Sequence, residues 1–362
     1  MSRMLLACGG TGGHLAPGIA LAQRLSDEGH ECLLMVSSKI VDAKMTAQYS
    51  RLRFVAGRGR GFGPGLINKL RFFPALVVSV WSAWRLLRQF KPQALICFGG
   101  FMSVAPALAC FFSGVPVLVH EANRRPGKAV RLIARFAAAI HLPHGVRLEG
   151  IALSRQHDSG YPVRAEIRPL GRDVARRALG MPAAGRMLLV VGGSQGATVL
   201  NRWVETHQEE FSRHDIQVLC LTGPGGREGE IRSGDSVIRY LPFCDQMAAA
   251  YSAADLAVTR AGAGTLAELA TCRTPSILVP YPQATDDHQT ANARQAAEAG
   301  TAILLPEQEI RRLSEAVLSR INDKTILAGM RDALALADAS NRWEELAQET
   351  IKLAHAQECA TR

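Results

Sequence analysis

The eight cysteines of this sequence, at positions 8, 32, 97, 110, 220, 244, 272 and 359, form no Cys-x-x-Cys pair and have no histidine beside them at zinc-ligand spacing. That scatter speaks against a zinc ribbon or a disulfide framework and fits a reducing cytoplasm. Long apolar runs are also missing: the uncharged stretch Phe72 to Trp84 has 13 residues, where a membrane-crossing helix needs roughly 20. No segment is therefore expected to span a bilayer. Met1 to Cys8 runs straight into glycines without the apolar core and small-residue cleavage site of a signal peptide, so it reads as a buried first strand. The formal charge is +10, yet no helix-turn-helix, zinc-finger or RNP pattern accompanies it, so nucleic acid is not an expected partner.

What is present is globular. With 48% hydrophobic and 20% charged residues the chain can build packed cores, and 362 residues suit two domains better than one. The basic charge is concentrated in the first half. Seven basic and no acidic residues lie between Arg58 and Lys91, and Arg124 to Arg147 repeats the bias. Such a field suits anionic lipid or a phosphate-bearing substrate.

Short apolar runs alternate with helix-length segments: 5–8, 32–36, 95–98, 115–120, 187–191, 218–221, 256–258, 277–279 and 302–305. This alternation predicts parallel α/β sheets. Pro143, Pro162 and Pro169, with glycines and charges between them, interrupt it over 142–170, and the domain boundary is expected near Pro162. Each half opens alike. Leu5 to Cys8 leads to Gly9-Gly10-Thr11-Gly12-Gly13, and Leu188 to Val191 leads to Gly192-Gly193-Ser194-Gln195-Gly196, each before a helix-forming run. Glycines between a buried strand and a helix let backbone N–H groups approach a phosphate, although they can equally serve only as tight turns. The expected fold class is α/β, with two Rossmann-like domains facing a cleft: 1–162, 163–340, and a last segment, 341–362, that could pack back on the first.

Neither loop is the dinucleotide fingerprint, because the positions that would need glycine are Leu15 and Thr198. A hydride-transfer enzyme is disfavoured. The Walker pattern fails at Ala122 and Ala129. Asp286-Asp287 reads as easily as a helix cap as a metal pair, and no metal site is predicted.

Several ordered motifs resemble one family across essentially the whole chain. They are Gly9 to Gly18 (GGTGGHLAPG), Phe98 to Phe101 (FGGF), His120 to Lys128 (HEANRRPGK), Pro162-Val163-Arg164, Gly192 to Ala197 (GGSQGA), Phe243 to Met247 (FCDQM) and Arg260 to Glu268 (RAGAGTLAE). Together they are similar to the MurG glycosyltransferases of peptidoglycan synthesis, which add N-acetylglucosamine to lipid I to make lipid II. The resemblance implies the two-Rossmann GT-B fold, an inverting transfer, no required cofactor, and a place on the cytoplasmic face of the cell membrane. It implies UDP-N-acetylglucosamine, lipid I and an anionic membrane surface as partners.

Carried over residue by residue, the resemblance places the uracil near Phe243 and Cys244, and a bridge to the ribose hydroxyls at Glu268. It places diphosphate contacts at Ala263, Gly264, Thr265 and Leu266, with Ala267 also in the donor site, Arg260 and Ser194 nearby, and Arg164 meeting the diphosphate or sugar from the interdomain side. Gln289 and Asn292 would meet the transferred sugar, and Thr11, Gly12, Gly13 and Asn123 would complete the donor site. Gly99, Gly100, Gly193 and Gln195 would hold the acceptor diphosphate. His14, at the start of the first helix, is the candidate base, because an imidazole titrates near working pH; Glu121 is the second candidate. The sequence departs from the family at Tyr161, where asparagine is usual, and over 142–160, which match poorly.

Leu76, Val77, Val80, Trp81, Trp84 and Leu87 fall at helical spacing with Lys69, Arg71, Arg85, Arg88 and Lys91 around them. An aromatic, apolar face with a basic rim predicts an interfacial helix, with Leu76, Val80, Trp81 and Trp84 facing the membrane. An ordinary core helix is the alternative. Two other functions compete: a sister enzyme that glycosylates diacylglycerol, and a non-catalytic nucleotide-sugar-binding scaffold.

Overall fold

The structure, a computed structural model, describes residues 1–9, 12–37, 43, 45–57, 66–193 and 195–361. The chain divides into two compact units, Met1–Arg164 with Asn341–Arg362, and Ala165–Ser340. The change of unit falls after Arg164, where the sequence led us to expect it after 162.

Among the described residues each unit holds one seven-stranded sheet. The first comprises β1 (Arg3–Ala7), β2 (Glu31–Val36), β3 (Arg53–Ala56), β4 (Ala94–Cys97), β5 (Val117–His120), β6 (Ala139–Leu142) and β7 (Gln156–Asp158). All its pairings are parallel, in the order β3-β2-β1-β4-β5-β6-β7. The second comprises β8 (Arg186–Val191), β9 (Ile216–Leu221), β10 (Gly229–Ser233), β11 (Ser236–Leu241), β12 (Leu256–Thr259), β13 (Ser276–Leu278) and β14 (Ala302–Leu304). Its order is β10-β11-β9-β8-β12-β13-β14, with β10 alone antiparallel. With the edge strands β7 and β10 set aside, both sheets follow the doubly wound 3-2-1-4-5-6 order, which leaves a crevice at the carboxyl ends of the central strands.

Burial on both faces explains the uninterrupted apolar runs. On β1, Leu5 and Ala7 enter one core cluster while Met4 and Leu6 enter another on the opposite face, as period-two side chains must. Each fully buried leucine contributes about 1.5–3 kcal/mol relative to exposure. Helix Gly12–Asp27 covers the second face. It approaches so closely that a Cβ on Gly18 would stand 2.6 Å from that of Cys8. The helix-packing role usually served by the fingerprint's third glycine thus falls to Gly18. Helix Glu344–Thr361 sets Leu346, Ala347 and Ala354 into the same cluster.

Helix Leu66–Phe90 covers the other face of the first sheet with Ala83, Leu87 and Phe90, and Leu76 and Val80 pack partly buried beside them. This corrects the expected membrane face. Leu76, Val80 and Leu87 belong to the inward stripe, whereas Val77, Val78, Trp81 and Trp84 are exposed. No helix among the described residues is long and apolar enough to cross a membrane.

Candidate active site

In both units the predicted residues gather on loops that leave the carboxyl ends of parallel strands, where doubly wound sheets bind ligands. In the first unit three such loops meet. The loop after β1 enters helix Gly12–Asp27, whose third residue is the half-buried His14. The loop after β4 carries Gly99 and Gly100 at φ 89° and 70°, in the left-handed region that suits glycine. A Cβ on Gly100 would lie 3.1 Å from Cε1 of His14, and one on Gly99 would lie 3.4 Å from its Nε2. The two glycines thus leave room for the imidazole against their backbone. Ser103 anchors that turn from below, its hydroxyl donating to the carbonyls of Gly99 at 2.6 Å and Ala7 at 3.2 Å.

The third loop follows β5. Glu121 is buried, and both its oxygens accept hydrogen bonds from the loop: Oε1 from the backbone and side-chain nitrogens of Asn123 at 2.8 and 2.9 Å, and Oε2 from the Gly127 amide at 2.9 Å. A carboxylate engaged three times shapes its loop. This arrangement tells against Glu121 as second candidate base. His120 is buried and its Nε2 lies 2.9 Å from the Gly160 carbonyl; burial pushes its pKa down to about 4.

Tyr161, the departure from the resembled family, also belongs to this unit's framework. Pro17 has no N–H to offer the carbonyl of Gly13 four residues earlier. The Tyr161 hydroxyl donates to that carbonyl instead, at 3.5 Å. Asn341 clasps the Tyr161 backbone through two hydrogen bonds of 2.7 and 3.0 Å. Any side chain on Gly160 would collide with Asn341. Arg164 is half-buried and donates from Nη1 to the Tyr49 hydroxyl at 3.2 Å.

In the second unit, the loop after β8 closes through Gly196, at φ 75°, where a Cβ would lie 2.3 Å from the Thr222 carbonyl. Gly193, at φ 79°, faces open space, and Gln195 is exposed. After β12 the chain enters helix Ala263–Thr271, leaving Ala263, Gly264, Thr265, Leu266 and Ala267 half-buried at its start. Their first amides lack intrahelical partners and carry the positive end of the helix dipole. Glu268 is buried, not solvated, and its Oε2 accepts a 3.0 Å hydrogen bond from the Tyr251 hydroxyl. Cys244, on the loop after β11, is half-buried, and burial raises its thiol pKa, which suits a packing wall rather than a nucleophile.

Three further side chains are turned toward the protein. Arg260 lies 2.5 Å from the Glu307 carboxylate and donates to the carbonyls of Val279 and Pro280 at 3.0 and 3.3 Å, with its guanidinium over Tyr281. Its charge is therefore balanced within the unit, contrary to the expectation of a cation offered to a diphosphate. Asn292 is buried, with its amide donating to the Ala261 carbonyl at 3.2 Å, so that group braces the β12 loop. Gln289 accepts from the Tyr281 amide at 2.9 Å. Thr11 and Ser194 lie outside the described residues; Gly12 and Gly13 open the first helix.

Sequence reasoning missed Ser103, Tyr251 and Glu307. A serine three residues after FGG and a glutamate 45 residues beyond RAG leave no pattern to read. Their importance comes from contacts made across the fold.

Doubly wound units with glycine loops at their switch points suit nucleotide binding, and solved structures of similar architecture include glycosyltransferases. One is Acinetobacter baumannii MurG, with a TM-score of 0.69 at 23% identity, covering 97% of this chain and 99% of that one. Another is the kitacinnamycin glycosyltransferase, with a TM-score of 0.69 at 15% identity, covering 98% and 99%. These likenesses establish the fold, the two-sheet GT-B architecture. The chain belongs to glycosyltransferase family 28, matching the family's N-terminal domain over residues 4–142 and its C-terminal domain over residues 187–349. A relative from Opitutus terrae is 43% identical over 95% of this chain and 93% of its own length. One from Parasynechococcus marenigrum is 35% identical over 97% and 100%. Both are named UDP-N-acetylglucosamine–N-acetylmuramyl-(pentapeptide) pyrophosphoryl-undecaprenol N-acetylglucosamine transferase.

Proposed function

We propose that this chain transfers N-acetylglucosamine from UDP-N-acetylglucosamine to the 4-hydroxyl of the muramoyl sugar of lipid I, making lipid II for peptidoglycan synthesis. The observation that carries this reading is the 43% identity to the Opitutus terrae transferase over nearly the full length of both chains. In the reaction the acceptor oxygen attacks the anomeric carbon. The bond to the leaving phosphate breaks with its electron pair on UDP, and the hydroxyl proton passes to a base. One displacement inverts the anomeric centre.

The second unit is the donor side. Ala263, Gly264 and Thr265 offer amides to the diphosphate, where negative charge grows as UDP departs. Glu268, pre-oriented by Tyr251, accepts from the ribose hydroxyls, and the uracil lies against Phe243 and Cys244. Gly193, Gln195, Gly99 and Gly100 receive the acceptor diphosphate. His14, seated on the Gly99–Gly100 turn, takes the acceptor proton. Arg260, Gln289 and Asn292 act by holding the β12 and β13 loops in shape.

The membrane face is the outward stripe of helix Leu66–Phe90. Trp81 and Trp84 are 55% and 40% exposed, each with an arginine over its ring: Arg85 at 4.8 Å and Arg88 at 4.7 Å. Phe111 and Phe112, on the neighbouring helix Val104–Phe112, are exposed as well. Exposed aromatic residues with cationic groups beside them support a peripheral position against the headgroup region of an anionic bilayer, on the cytoplasmic leaflet.

A transfer assay with labelled UDP-N-acetylglucosamine tests the reading, with lipid I and diacylglycerol offered as separate acceptors. Label in lipid II alone is expected. Label only in diacylglycerol overturns the acceptor assignment, and hydrolysis no faster than background with both acceptors overturns the enzyme.

A further inference from the structure

The second unit carries a cavity at the wrong end of its sheet for the proposed reaction. Arg186 begins β8, Asp255 precedes β12 and Thr274 precedes β13, so the cavity they line opens at the amino ends of the strands. The nucleotide loops leave the carboxyl ends, a strand length of about 15–20 Å away. The cavity holds about 530 Å³, within the range of small-molecule sites, roughly 300–1,000 Å³.

Its charge is one-sided. Among the described lining residues Asp255 is the sole acid, against Arg172, Arg186, Arg273, Lys324 and Arg331. Asp255 is already consumed: Arg172, Arg186 and the fully buried Arg176 approach its carboxylate at 3.2, 3.0 and 3.1 Å, and the Met187 amide donates to it at 2.9 Å. Arg273, Lys324 and Arg331 have no ion-pair partner among the described residues. Arg273 is moreover held at φ 53°, at the end of helix Ala263–Thr271, a position where glycine is usual. Three uncompensated cations around one cavity repel each other, and a bound anion relieves that repulsion. Leu170, Tyr251 and Leu327 also line it.

We propose that this cavity binds a small phosphorylated molecule and that its occupancy adjusts donor binding. The link is Tyr251, which lines the cavity and whose hydroxyl holds Glu268. The same helix runs from the proposed diphosphate contacts at Ala263 to Cys272 and Arg273 at the cavity. The binding stands on the cavity alone; the coupling rests on Glu268 serving the donor, as proposed above. Coupling of this kind is reciprocal, so the donor must alter affinity for the anion as well.

Calorimetry of the full chain with inorganic pyrophosphate, without acceptor or turnover, tests the site. Lys324→Glu and Arg331→Glu, at exposed and half-exposed positions, are expected to weaken binding at least about tenfold each, the loss of a charge-assisted contact, while leaving activity without pyrophosphate unchanged. Equal affinity in wild type and both variants overturns the site. For the coupling, the KM for UDP-N-acetylglucosamine should shift with pyrophosphate in wild type and not in Arg331→Glu. A shift that persists in Arg331→Glu is competition at the donor loops and overturns the coupling while leaving the site intact. Phosphatidylglycerol vesicles form the second arm: vesicle binding abolished by Arg331→Glu, with no pyrophosphate binding, replaces the soluble ligand by a lipid headgroup. Because the calorimetric arm needs no transfer, its failure and that of the proposed activity are read separately.

Discussion

The two units share a strand order and an opening glycine loop, yet they organise different groups around them. In the first, the helix that follows β1 presents a histidine at its third residue, and glycines from the β4 loop clear space for the ring. In the second, the opening loop folds back on Thr222 and Gly223, and the helix after it starts at Thr198 with no acidic residue in its first turn. The polar side chains lie instead around β12, where Glu268, Tyr251, Arg260 and Glu307 are buried or partly buried in mutual contacts. The first unit also exposes a tryptophan- and phenylalanine-rich patch, whereas the exposed apolar residues of the second are spread over several elements. A repeated topology supplies the same crevice twice, and the loop residues decide which substrate half each crevice can serve.

Substitutions can break this division of labour. The largest expected effect is at His14: His14→Ala should lower kcat about 100-fold or more while the KM for UDP-N-acetylglucosamine changes little. Steady-state kinetics with both substrates varied would decide it, and a kcat close to wild type removes His14 as the base. On the other unit, Glu268→Ala should raise the donor KM about tenfold or more, because a charge-assisted hydrogen bond is worth on the order of 1.5–3 kcal/mol. An unchanged donor KM would take Glu268 out of the site.

Acid should separate the units by stability. In the first, burial pushes His120 down to about 4 and His141, whose ring nitrogens have no hydrogen-bond partner among the described residues, down to about 3. The histidines of the second, His207, His214 and His288, are exposed or half-exposed. A histidine whose folded pKa is depressed contributes stability that is full above its unfolded pKa of about 6.5 and is lost as pH falls toward the folded value. Each of the two should therefore cost the first unit about 1.4 kcal/mol per pH unit below about 6. Hydrogen exchange followed from pH 7 to 4.5 should show β4–β6 opening before β8 and β12; the reverse order would contradict this account.

The smallest effect on the fold is expected at the membrane face. Trp81→Glu with Trp84→Glu should weaken flotation with anionic vesicles several-fold and leave Tm within a few degrees, since surface changes are usually within about 0.5 kcal/mol. Loss of folding in the double variant would assign the tryptophans to the core.

Periodicity made the buried central strands legible, because β1, β2, β4, β5, β8, β9 and β12 are apolar on both faces. The glycine loops were legible for a related reason: left-handed and close-approach backbone admits little else. The edge strands were not. β7 is Gln-His-Asp and earns its place in the sheet through pairing with β6 and through the Gln156 side chain, which bonds Leu148 and Ile151. β10 and β11 form a hairpin whose turn includes Gly234 at φ 58°, in a polar stretch without alternation.

Sequence alone therefore determined the α/β class, the repeated opening and the glycine positions, since these depend on local backbone geometry and on patterns of burial that neighbouring residues share. Tertiary structure decided which stripe of helix Leu66–Phe90 faces the core, because Val80 and Trp81 are adjacent in sequence and both apolar, and only packing against the sheet separates them. It also decided the roles of the charged residues. Whether Glu121 is a base or a loop brace, and whether Arg260 is offered outward or neutralised, depends on amides and a carboxylate that long-range folding brings within about 3 Å, the distance at which hydrogen bonds and ion pairs form.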